Sequence, residues 1–477
     1  MNITAPIRYL ARHMPDTMAV IDGDHLRLTY AQLDRAIDVA AHHVLHLGLR
    51  PGDIVALGLV SRSEVPFLVL LLALARLGVT SAEPSLPPEH VRLAFHYGTT
   101  APPGHVRFDE SWMAAAFTDA AIAPAPMHGD ETALLRLFAS SGTTGTPKHI
   151  PVSHALMARR VYSRFLSQGG GPRTRMVGLG LGIMPGFISL LMTLWQGGTL
   201  VIFNPASVVA DISRFGVEVL VASTASLKRV VDLRPEGAGP VPGLQLISIG
   251  GSRLPAGLRQ LAQARLCPHI ETTLGAAEVA RIACARVEAL DTRPGAAGFI
   301  SPDVEVQAVD AEGNPLPEGE EGVLRVRSPC VADGYFADPA ATAESFRDGW
   351  FYPGDIGTVW PDGMLSLSGR ASEVINIGGD KFDPARIEQV LDRVPQVVES
   401  AVFAVPDETG SPELCAALVV SAPVDTAELN AICARYLPRM SFATILEVDA
   451  LPRNEAGKVQ RDRLMALVAA LDRADEA

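Results

Sequence analysis

The spacing of apolar residues changes within the first part of the chain. Apolar and polar residues alternate over 19–28 around a polar turn at 22–25, which predicts a β-hairpin. Thr29 and Gln32 then have the spacing of a capping box, and the following apolar residues recur on one helical face until Gly48. The pattern therefore predicts a hairpin followed by an amphipathic helix.

Strands and helices alternate along the residues that follow. An apolar strand at 54–59 precedes the unbroken apolar run 65–75, which ends at Arg76 and predicts a buried helix. The segment 84–127 has no clear period, and we interpret it as a connection. Beyond it we predict a helix at 153–167, a strand at 176–182, a helix at 187–195, and strands at 199–203, 219–222 and 244–249. This alternation predicts a parallel sheet covered by helices.

The pattern changes again near residue 295. Strands at 304–309 and 322–327 alternate between apolar and polar residues, which predicts a β-rich subdomain over about 295–369. Beyond residue 370 the predicted strands and helices are of α+β type. The predicted fold class is therefore α/β, with parallel and mixed sheets up to about residue 369 and an α+β part beyond it.

Length and composition fit a globular protein of two or three domains. The chain of 477 residues is longer than a single hydrophobic core usually accommodates. Of its residues, 48% are hydrophobic and 19% are charged. The formal net charge is -13 and no basic cluster is present, which argues against a nucleic-acid partner. The run at 65–75 is too short to span a membrane. Five scattered cysteines and the lack of a signal peptide predict a cytoplasmic location.

A loop rich in glycine and hydroxyl groups follows the apolar strand 134–138. It contains Ser140, Ser141, Gly142, Thr143, Thr144, Gly145 and Lys148. Glycines let backbone amides approach a polyanion, hydroxyls add neutral donors, and a lysine adds a point charge. The loop therefore predicts a phosphate-binding site, while a solvated turn of the same composition is the alternative.

Four other short motifs come later in the chain. They are Gly250-Gly251-Ser252 after a predicted strand, Leu274-Gly275-Ala276-Ala277-Glu278, Asp355 with Arg370, and the segment 452–458 that ends in Lys458. Glycines at the carboxyl end of a parallel strand leave room for a flat base against the backbone. Other nucleotide signatures fail, because Pro185 interrupts a possible dinucleotide-binding glycine triad and Val459 replaces the hydroxyl that a P-loop needs.

With the loop at 138–148, these motifs resemble those of the adenylate-forming superfamily and occur in the same order. This superfamily includes acyl- and aryl-CoA synthetases, adenylation domains of non-ribosomal peptide synthesis, and firefly luciferase. The resemblance covers about residues 20–465 and implies that ATP and Mg²⁺ are the cofactors. It also implies a large N-terminal domain at 1–369 and a small α+β C-terminal domain at 370–477. The C-terminal domain is expected to be mobile and to turn about a hinge at Ser372.

The resemblance implies a role for each motif. Lys458, Glu278 and Lys148 are the expected catalytic residues, and Glu278 is the expected magnesium ligand. The expected ATP-binding residues are Ser140, Ser141, Gly142, Thr143, Thr144, Gly145, Lys148, Gly250, Gly251, Ser252, Leu274, Gly275, Asp355, Arg370 and Lys458. The expected acyl pocket consists of Gly182, Ile183, Gly275 and Ala276, and the expected thiol access of Asn376, Gly378 and Gly379.

Four residues depart from the superfamily pattern. Leu274 stands where an aromatic residue usually stacks on adenine, and Ala277 where a threonine usually bonds the phosphate of the adenylate. His149 replaces a glycine after the phosphate loop, and Pro353 replaces a threonine near the ribose-binding aspartate. A lost hydrogen bond to a charged group costs about 1.5 to 3 kcal/mol, so these changes predict weaker nucleotide binding.

The implied reaction has two halves. A carboxylate attacks the α-phosphate of MgATP to form an acyl-adenylate and pyrophosphate, and a thiol of coenzyme A or of a carrier protein then forms a thioester and releases AMP. The resemblance places Gly182 and Ile183 in one wall of the acyl pocket, which these residues would make apolar and roomy. Adenylation domains for amino acids have an aspartate for the ammonium group near this stretch, whereas residues 181–187 are uncharged. The resemblance therefore implies an apolar aryl or aliphatic acid rather than a free α-amino acid. The alternative is a nucleotide- or adenylate-binding relative with weakened catalysis.

Overall fold

The computed structural model describes most of the chain. The described residues are 1–58, 65–98, 100–118, 121–139, 147–168, 171, 173–251, 254–293, 295–370, 375–377, 380–382, 384–406, 412–436, 442–453 and 458–475. Four groups of residues with predicted site roles lie outside this set: 140–146, Ser252, Ser372 and 378–379.

The α-helices have the following bounds: α1 Ala5–His13, α2 Tyr30–His46, α3 Val65–Leu77, α4 His154–Gln168, α5 Met184–Trp195, α6 Val208–Arg214, α7 Thr224–Asp232, α8 Ala256–Arg265, α9 Val287–Leu290, α10 Pro339–Ser345, α11 Pro384–Leu391, α12 Thr426–Tyr436 and α13 Arg461–Asp475. Short 3₁₀-helices occupy Pro88–His90 and Glu110–Phe117. Within the described residues, no helix combines the length and the apolar character that crossing a membrane requires.

The strands have the following bounds: β1 Met18–Asp22, β2 Leu26–Thr29, β3 Ile54–Gly58, β4 Thr80–Ala82, β5 Leu93–Tyr97, β6 His105–Phe108, β7 Leu134–Ala139, β8 His149–Ser153, β9 Thr174–Gly178, β10 Thr199–Ile202, β11 Val219–Ala222, β12 Leu246–Gly250, β13 Ile270–Leu274, β14 Ala283–Arg286, β15 Ala296–Ile300, β16 Glu305–Val309, β17 Glu321–Arg327, β18 Phe346–Arg347, β19 Trp350–Phe351, β20 Asp355–Val359, β21 Met364–Arg370, β22 Ile375–Ile377, β23 Asp380–Phe382, β24 Val397–Pro406, β25 Pro412–Val420 and β26 Thr444–Glu447.

Two sheets form the N-terminal domain, and the predicted α/β class is confirmed. One sheet has the order β6-β5-β3-β4-β7-β8, with β7 and β8 as its antiparallel pair. The larger sheet has the order β18-β19-β17-β20-β21-β15-β14-β13-β12-β11-β9-β10-β1-β2, and β16 pairs with β17. Along this order, neighbouring strands from β13 to β1 are parallel. The pair β1–β2 and all neighbours from β13 to β18 are antiparallel. The predicted β-rich residues thus extend the parallel sheet.

Helices α3 and α5 lie in the main core between the two sheets. Nearly all residues of both helices are buried there, together with side chains from β3, β7, β9 and β11. Arg76 near the end of α3 is also fully buried, and its guanidinium group pairs with Asp34 and Asp38 of α2. A buried charge of this kind is tolerated because it is paired.

The first two predicted elements, the hairpin and the helix after it, agree with the apolar pattern. β1 and β2 form the predicted hairpin, and Val20 of β1 also pairs in parallel with Leu200 of β10. At the start of α2, the amide of Gln32 donates to Thr29 Oγ1 at 3.3 Å and the amide of Thr29 donates to Gln32 Oε1 at 2.9 Å. The predicted capping box is therefore present.

Two predictions from the pattern were wrong. The strand predicted at 176–182 lies at Thr174–Gly178, and α5 begins at Met184 because Pro185 in its first turn has a backbone angle suited to a helix start. The segment 84–127 is more than a connection, because β5 and β6 within it extend the smaller sheet. Pairing with neighbouring strands outweighs weak local strand preference there.

The C-terminal domain is built on the sheet β24-β25-β26. Helices α11 and α12 cover one face of this sheet and α13 covers the other. Arg386 of α11 pairs with Glu321 at the start of β17, so α11 faces the N-terminal domain.

Candidate active site

The parallel strands of the larger sheet end at a common edge. β9 ends at Gly178, β11 at Ala222, β12 at Gly250 and β13 at Leu274, and these strands are parallel neighbours. Open α/β sheets bind ligands beyond the carboxyl ends of their strands. The motifs at Gly250 and Leu274 therefore lie where this kind of fold places a ligand.

The glycine pair at the end of β12 begins with a residue that has open space beside it. A Cβ atom on Gly250 would meet no atom within 4 Å. Gly251 has a φ of 93°, a left-handed conformation that glycine adopts without strain. A surface without side chains suits a flat base.

Gly275 is required by the tight turn after β13. A Cβ atom on Gly275 would lie 1.9 Å from the carbonyl oxygen of Ala280, whose own φ is 78°. The amide of Ala280 donates to the carbonyl oxygen of Ala276 at 2.7 Å and closes the turn. The turn presents residues 276–278 at the edge of the sheet.

We expect Gly275→Ala to lower the free energy of unfolding by about 1 to 3 kcal/mol, because the added methyl group overlaps backbone that must shift. The matched control is Gly250→Ala, whose methyl group meets open space; we expect it to change stability by about 0.5 kcal/mol or less. Urea denaturation of both variants measures the difference. Equal stabilities would contradict the role of Gly275 in the turn.

Glu278 is held by its main chain and by its carboxylate. Its carbonyl oxygen accepts hydrogen bonds from Arg160 Nη2 at 2.7 Å and from the amide of Ala332 at 2.8 Å. Its carboxylate Oε1 accepts from the hydroxyl of Tyr335 at 3.0 Å, and the residue is 8% exposed. These contacts set the position of the carboxylate.

Arg160 of α4 is a site residue that the sequence analysis missed. It is buried and donates to the carbonyl oxygens of Ala277 and Cys330, both at 3.0 Å, as well as to that of Glu278. Burial lowers the pKa of Arg160 to about 10, so the guanidinium group remains charged at neutral pH. Its presence on the apolar face of a helix was the signal that could have identified it.

Tyr335, also missed, connects Glu278 with Lys148 at the end of the predicted phosphate-binding loop. The Nζ atom of Lys148 lies 5.0 Å from the centroid of the Tyr335 ring, within cation–π distance. Burial and then the charge of Glu278 raise the pKa of the Tyr335 hydroxyl, which therefore remains a donor. The structure thus brings Lys148 to the ring face and Glu278 to the hydroxyl of one tyrosine.

Strands β7 and β8 flank the predicted phosphate-binding loop. Ala139 pairs with His149, so the loop leaves and re-enters the sheet at neighbouring positions. His149 is buried, its carbonyl oxygen accepts from the amide of Phe336 at 2.7 Å, and its Nε2 lies 3.2 Å from Ser85 Oγ. Burial lowers the pKa of His149, so the ring is neutral at neutral pH. This departure from the superfamily pattern is therefore a packed residue of the loop base.

Asp355 and Arg370 face each other across β20 and β21. They are partners in the antiparallel register, and Arg370 Nε lies 3.1 Å from Asp355 Oδ1. Asp355 is 8% exposed. A carboxylate has about four acceptor positions, so it can accept from an arginine and from two vicinal hydroxyls.

The space beside Gly182 in the predicted acyl wall is occupied by protein side chains, so the prediction of a roomy wall is wrong there. A Cβ atom on Gly182 would lie 3.2 Å from Phe67 Cζ and 3.3 Å from Arg136 Nη2. Arg136 Nε also donates to the carbonyl oxygen of Gly182 at 3.0 Å, and both Phe67 and Arg136 are buried. The absent side chain leaves room for these two residues rather than for an acid. Ile183 is partly buried and packs against the main core.

The C-terminal candidates lie on separate elements. Lys458 is half-buried and precedes Val459, which forms an isolated bridge with Arg453. Arg453 Nη2 lies 2.7 Å from Glu399 Oε2, which ties this segment to β24. The main chain of Asn376 belongs to β22, which pairs with β23.

Two family models match the sequence. Residues 7–100 and 89–336 match the AMP-binding enzyme family, and residues 386–458 match the AMP-binding enzyme C-terminal domain. The matched residues include Gly182, Gly250, Gly275 and Glu278 in the first model and Lys458 in the second.

The chain is similar to known proteins over nearly its whole length. It is 29% identical over 479 residues to 2-succinylbenzoate–CoA ligase of Bacillus licheniformis, covering 96% of this chain and 98% of that one. It is 30% identical over 512 residues to the salicyl-AMP ligase / salicyl-S-ArCP synthetase of Mycobacterium tuberculosis, covering 94% and 88%. Its fold matches that of O-succinylbenzoate coenzyme A synthetase of Bacillus subtilis in complex with ATP and magnesium ion, with a TM-score of 0.82, 24% identity and coverage of 96% and 98%. The chain therefore belongs to the adenylate-forming superfamily of AMP-binding enzymes.

Proposed function

We propose that this protein activates an aryl acid with ATP and then transfers the acyl group to the thiol of coenzyme A or of a carrier protein. The observation that carries this proposal is the arrangement of Lys148, Tyr335 and Glu278 at the carboxyl edge of the sheet. The relatives support the substrate class, because their names specify 2-succinylbenzoate and salicylate, which are both aryl acids.

The nucleotide would lie along the edge of the sheet. In this arrangement the base rests on Gly250 and Gly251. The carboxylate of Asp355, which is paired with Arg370, accepts hydrogen bonds from the ribose hydroxyls. Lys148 at the end of the phosphate loop would contact the terminal phosphates. Each group of the nucleotide thus has a candidate partner among the described residues.

Glu278 is the candidate ligand for the magnesium ion that accompanies ATP. Its carboxylate is a hard oxygen donor, and Mg²⁺ prefers one or two carboxylates together with phosphate oxygens. When bound, the ion would neutralise charge that develops on the triphosphate. The bonds from Arg160 and Tyr335 would keep the carboxylate in position before the nucleotide arrives.

Carboxylate-dependent exchange of pyrophosphate into ATP tests the first half-reaction. We expect exchange with aryl acids such as 2-succinylbenzoate and salicylate, and none with free α-amino acids. Coenzyme A and a phosphopantetheine-bearing carrier protein then compete for the adenylate in a thioester assay. Exchange with amino acids alone would contradict the proposal, and ATP binding without exchange would favour the catalytically weakened relative.

Ala277→Thr tests whether the missing hydroxyl weakens the phosphate contact. We expect this variant to fold and to lower the Michaelis constant for ATP by about tenfold, the equivalent of one hydrogen bond to a charged group. Ala277→Val is the matched control, because valine has the shape of threonine without the hydroxyl. A tenfold loss of exchange in folded Ala277→Thr would instead indicate a pocket built around alanine.

A further inference from the structure

Tyr335 contacts two oppositely charged residues of the candidate site with different parts of its side chain. Its hydroxyl donates to Glu278 Oε1 at 3.0 Å, and its ring centroid lies 5.0 Å from Lys148 Nζ. The lysine thus meets the face of the ring, and the glutamate meets its polar end. One tyrosine therefore stands beside both of the charges that MgATP would meet.

The position of Tyr335 is fixed by contacts that involve no ligand. Its amide donates to Thr342 Oγ1 at 2.9 Å, and the amide of Phe336 donates to the carbonyl oxygen of His149 at 2.7 Å. Its ring also packs edge-on against Phe346, with 5.3 Å between the ring centroids. The tyrosine is therefore tied to α10 and to β8 before any nucleotide binds, as a residue that positions others must be.

The hydroxyl of Tyr335 takes up one of the two carboxylate oxygens of Glu278. Within the part of the chain that the structure describes, no group hydrogen-bonds to the other oxygen, Oε2. The carbonyl oxygen of the same glutamate is held by Arg160 and by the amide of Ala332. The bond from the tyrosine therefore decides which carboxylate oxygen is left for a ligand. Such a restraint suits Mg²⁺, which demands a nearly ideal arrangement of its oxygen ligands.

The ring of Tyr335 also affects how Lys148 and Glu278 act on each other. Opposite charges in a partly buried site attract each other more strongly than charges in water. Without the ring, the ammonium group would move toward the carboxylate and pair with it. That pair would occupy the lysine that a phosphate needs and the carboxylate that the metal needs.

We propose that Tyr335 is a positioning residue that keeps Lys148 and Glu278 apart and available to MgATP. The ring holds the ammonium group at its face, while the hydroxyl holds Oε1 of the glutamate and leaves Oε2 for the metal. The inference rests on the proposed function and adds a residue to its nucleotide site. Loss of the hydroxyl and loss of the ring should therefore have different effects.

Calorimetry of ATP binding, with magnesium and with EDTA, tests the role of the hydroxyl. The ratio of the two affinities measures what the metal contributes. Tyr335→Phe retains the ring, so we expect its ATP affinity in EDTA to equal that of the wild-type protein. Its ratio should fall by about tenfold, the equivalent of one hydrogen bond to a charged group. An unchanged ratio would overturn the proposal.

Tyr335→Leu, alone and combined with Glu278→Gln, tests the role of the ring. Tyr335→Leu should lower ATP affinity in EDTA by about tenfold, because Lys148 then pairs with Glu278. Glu278→Gln removes the carboxylate, so it should restore this affinity and have a larger effect with Leu than with Tyr at position 335. Equal effects in the two backgrounds would overturn the proposal. If Tyr335→Leu does not fold, the Tyr335→Phe ratio remains decisive.

Tyr30→Phe is the control for a purely structural loss. Tyr30 is buried, and its hydroxyl lies 2.9 Å from the carbonyl oxygen of Leu194 and 2.8 Å from that of Gly198. We expect this variant to lower the melting temperature and to leave the magnesium ratio unchanged. A ratio that falls as far as in Tyr335→Phe would overturn the proposal, because destabilisation alone would then explain the effect.

Binding and exchange separate this proposal from the proposed function. The expected shifts in ATP binding, without pyrophosphate exchange on any acid, would support the role of Tyr335 and contradict the proposed function. Exchange with aryl acids, without these shifts, would support the proposed function and overturn the role of Tyr335.

Discussion

Lys458→Ala is expected to lower pyrophosphate exchange by about 10² to 10³, because it removes a positive charge while negative charge gathers between the carboxylate and the triphosphate. The thiol step does not need that charge. The same variant should therefore still convert supplied acyl-adenylate and thiol to thioester. Pyrophosphate exchange measures the first step. Thioester formation from synthetic acyl-adenylate and thiol measures the second.

Two further variants test whether the effect belongs to Lys458 and to the first step. Lys228→Ala removes a partly exposed lysine that pairs with Asp232 on α7, and it should leave both steps unchanged. Gly379→Trp, at a position outside the described residues, should block the thiol arm and impair only the second step. Equal loss of both steps in folded Lys458→Ala would contradict the prediction that one mobile domain serves the two half-reactions in turn.

Arg160→Met is expected to lower the free energy of unfolding by about 3 to 5 kcal/mol, since it removes the donor from several buried carbonyl oxygens. Met is similar in length and apolar, so packing along α4 is largely preserved. We also expect loss of exchange, because the turn that carries Glu278 loses its anchor. Urea denaturation and the exchange assay measure the two effects.

Arg229→Met is the matched control, because Arg229 is exposed. It should leave both stability and exchange unchanged. Normal stability of Arg160→Met with loss of exchange would show that Arg160 acts on the nucleotide rather than on the fold. Normal behaviour in both assays would contradict the role given to its three carbonyl contacts.

The sequence predicted the parts of the fold that depend on local pattern. The hairpin of β1 and β2, the capping box at Thr29 and the buried helix α3 each arise from spacing within a few residues. Gly275 was predicted as a site residue, and its tight turn admits no side chain. The start of α5 was misplaced because glycines near Gly180 weaken the strand pattern, although Pro185 marks the helix start.

The missed parts depend on contacts between distant segments. Arg160 meets Glu278 across 118 positions of the chain, and Tyr335 meets it across 57. Neither contact leaves a periodic signal, since an isolated arginine or tyrosine is more often an ordinary surface or core residue. The filled space at Gly182 could not be foreseen for the same reason, because Phe67 and Arg136 come from other elements.

The pairing of β1 with β10 has a consequence for synthesis on the ribosome. Val20 lies beside Leu200, so about 180 further residues must be synthesised before β1 can pair with β10. At about 5 to 20 residues per second, this interval lasts about 10 to 40 s. During that time the apolar hairpin has an unpaired edge, which is the kind of surface that chaperones bind and that promotes aggregation. We therefore expect slower translation upstream of residue 200 to reduce the yield of native protein.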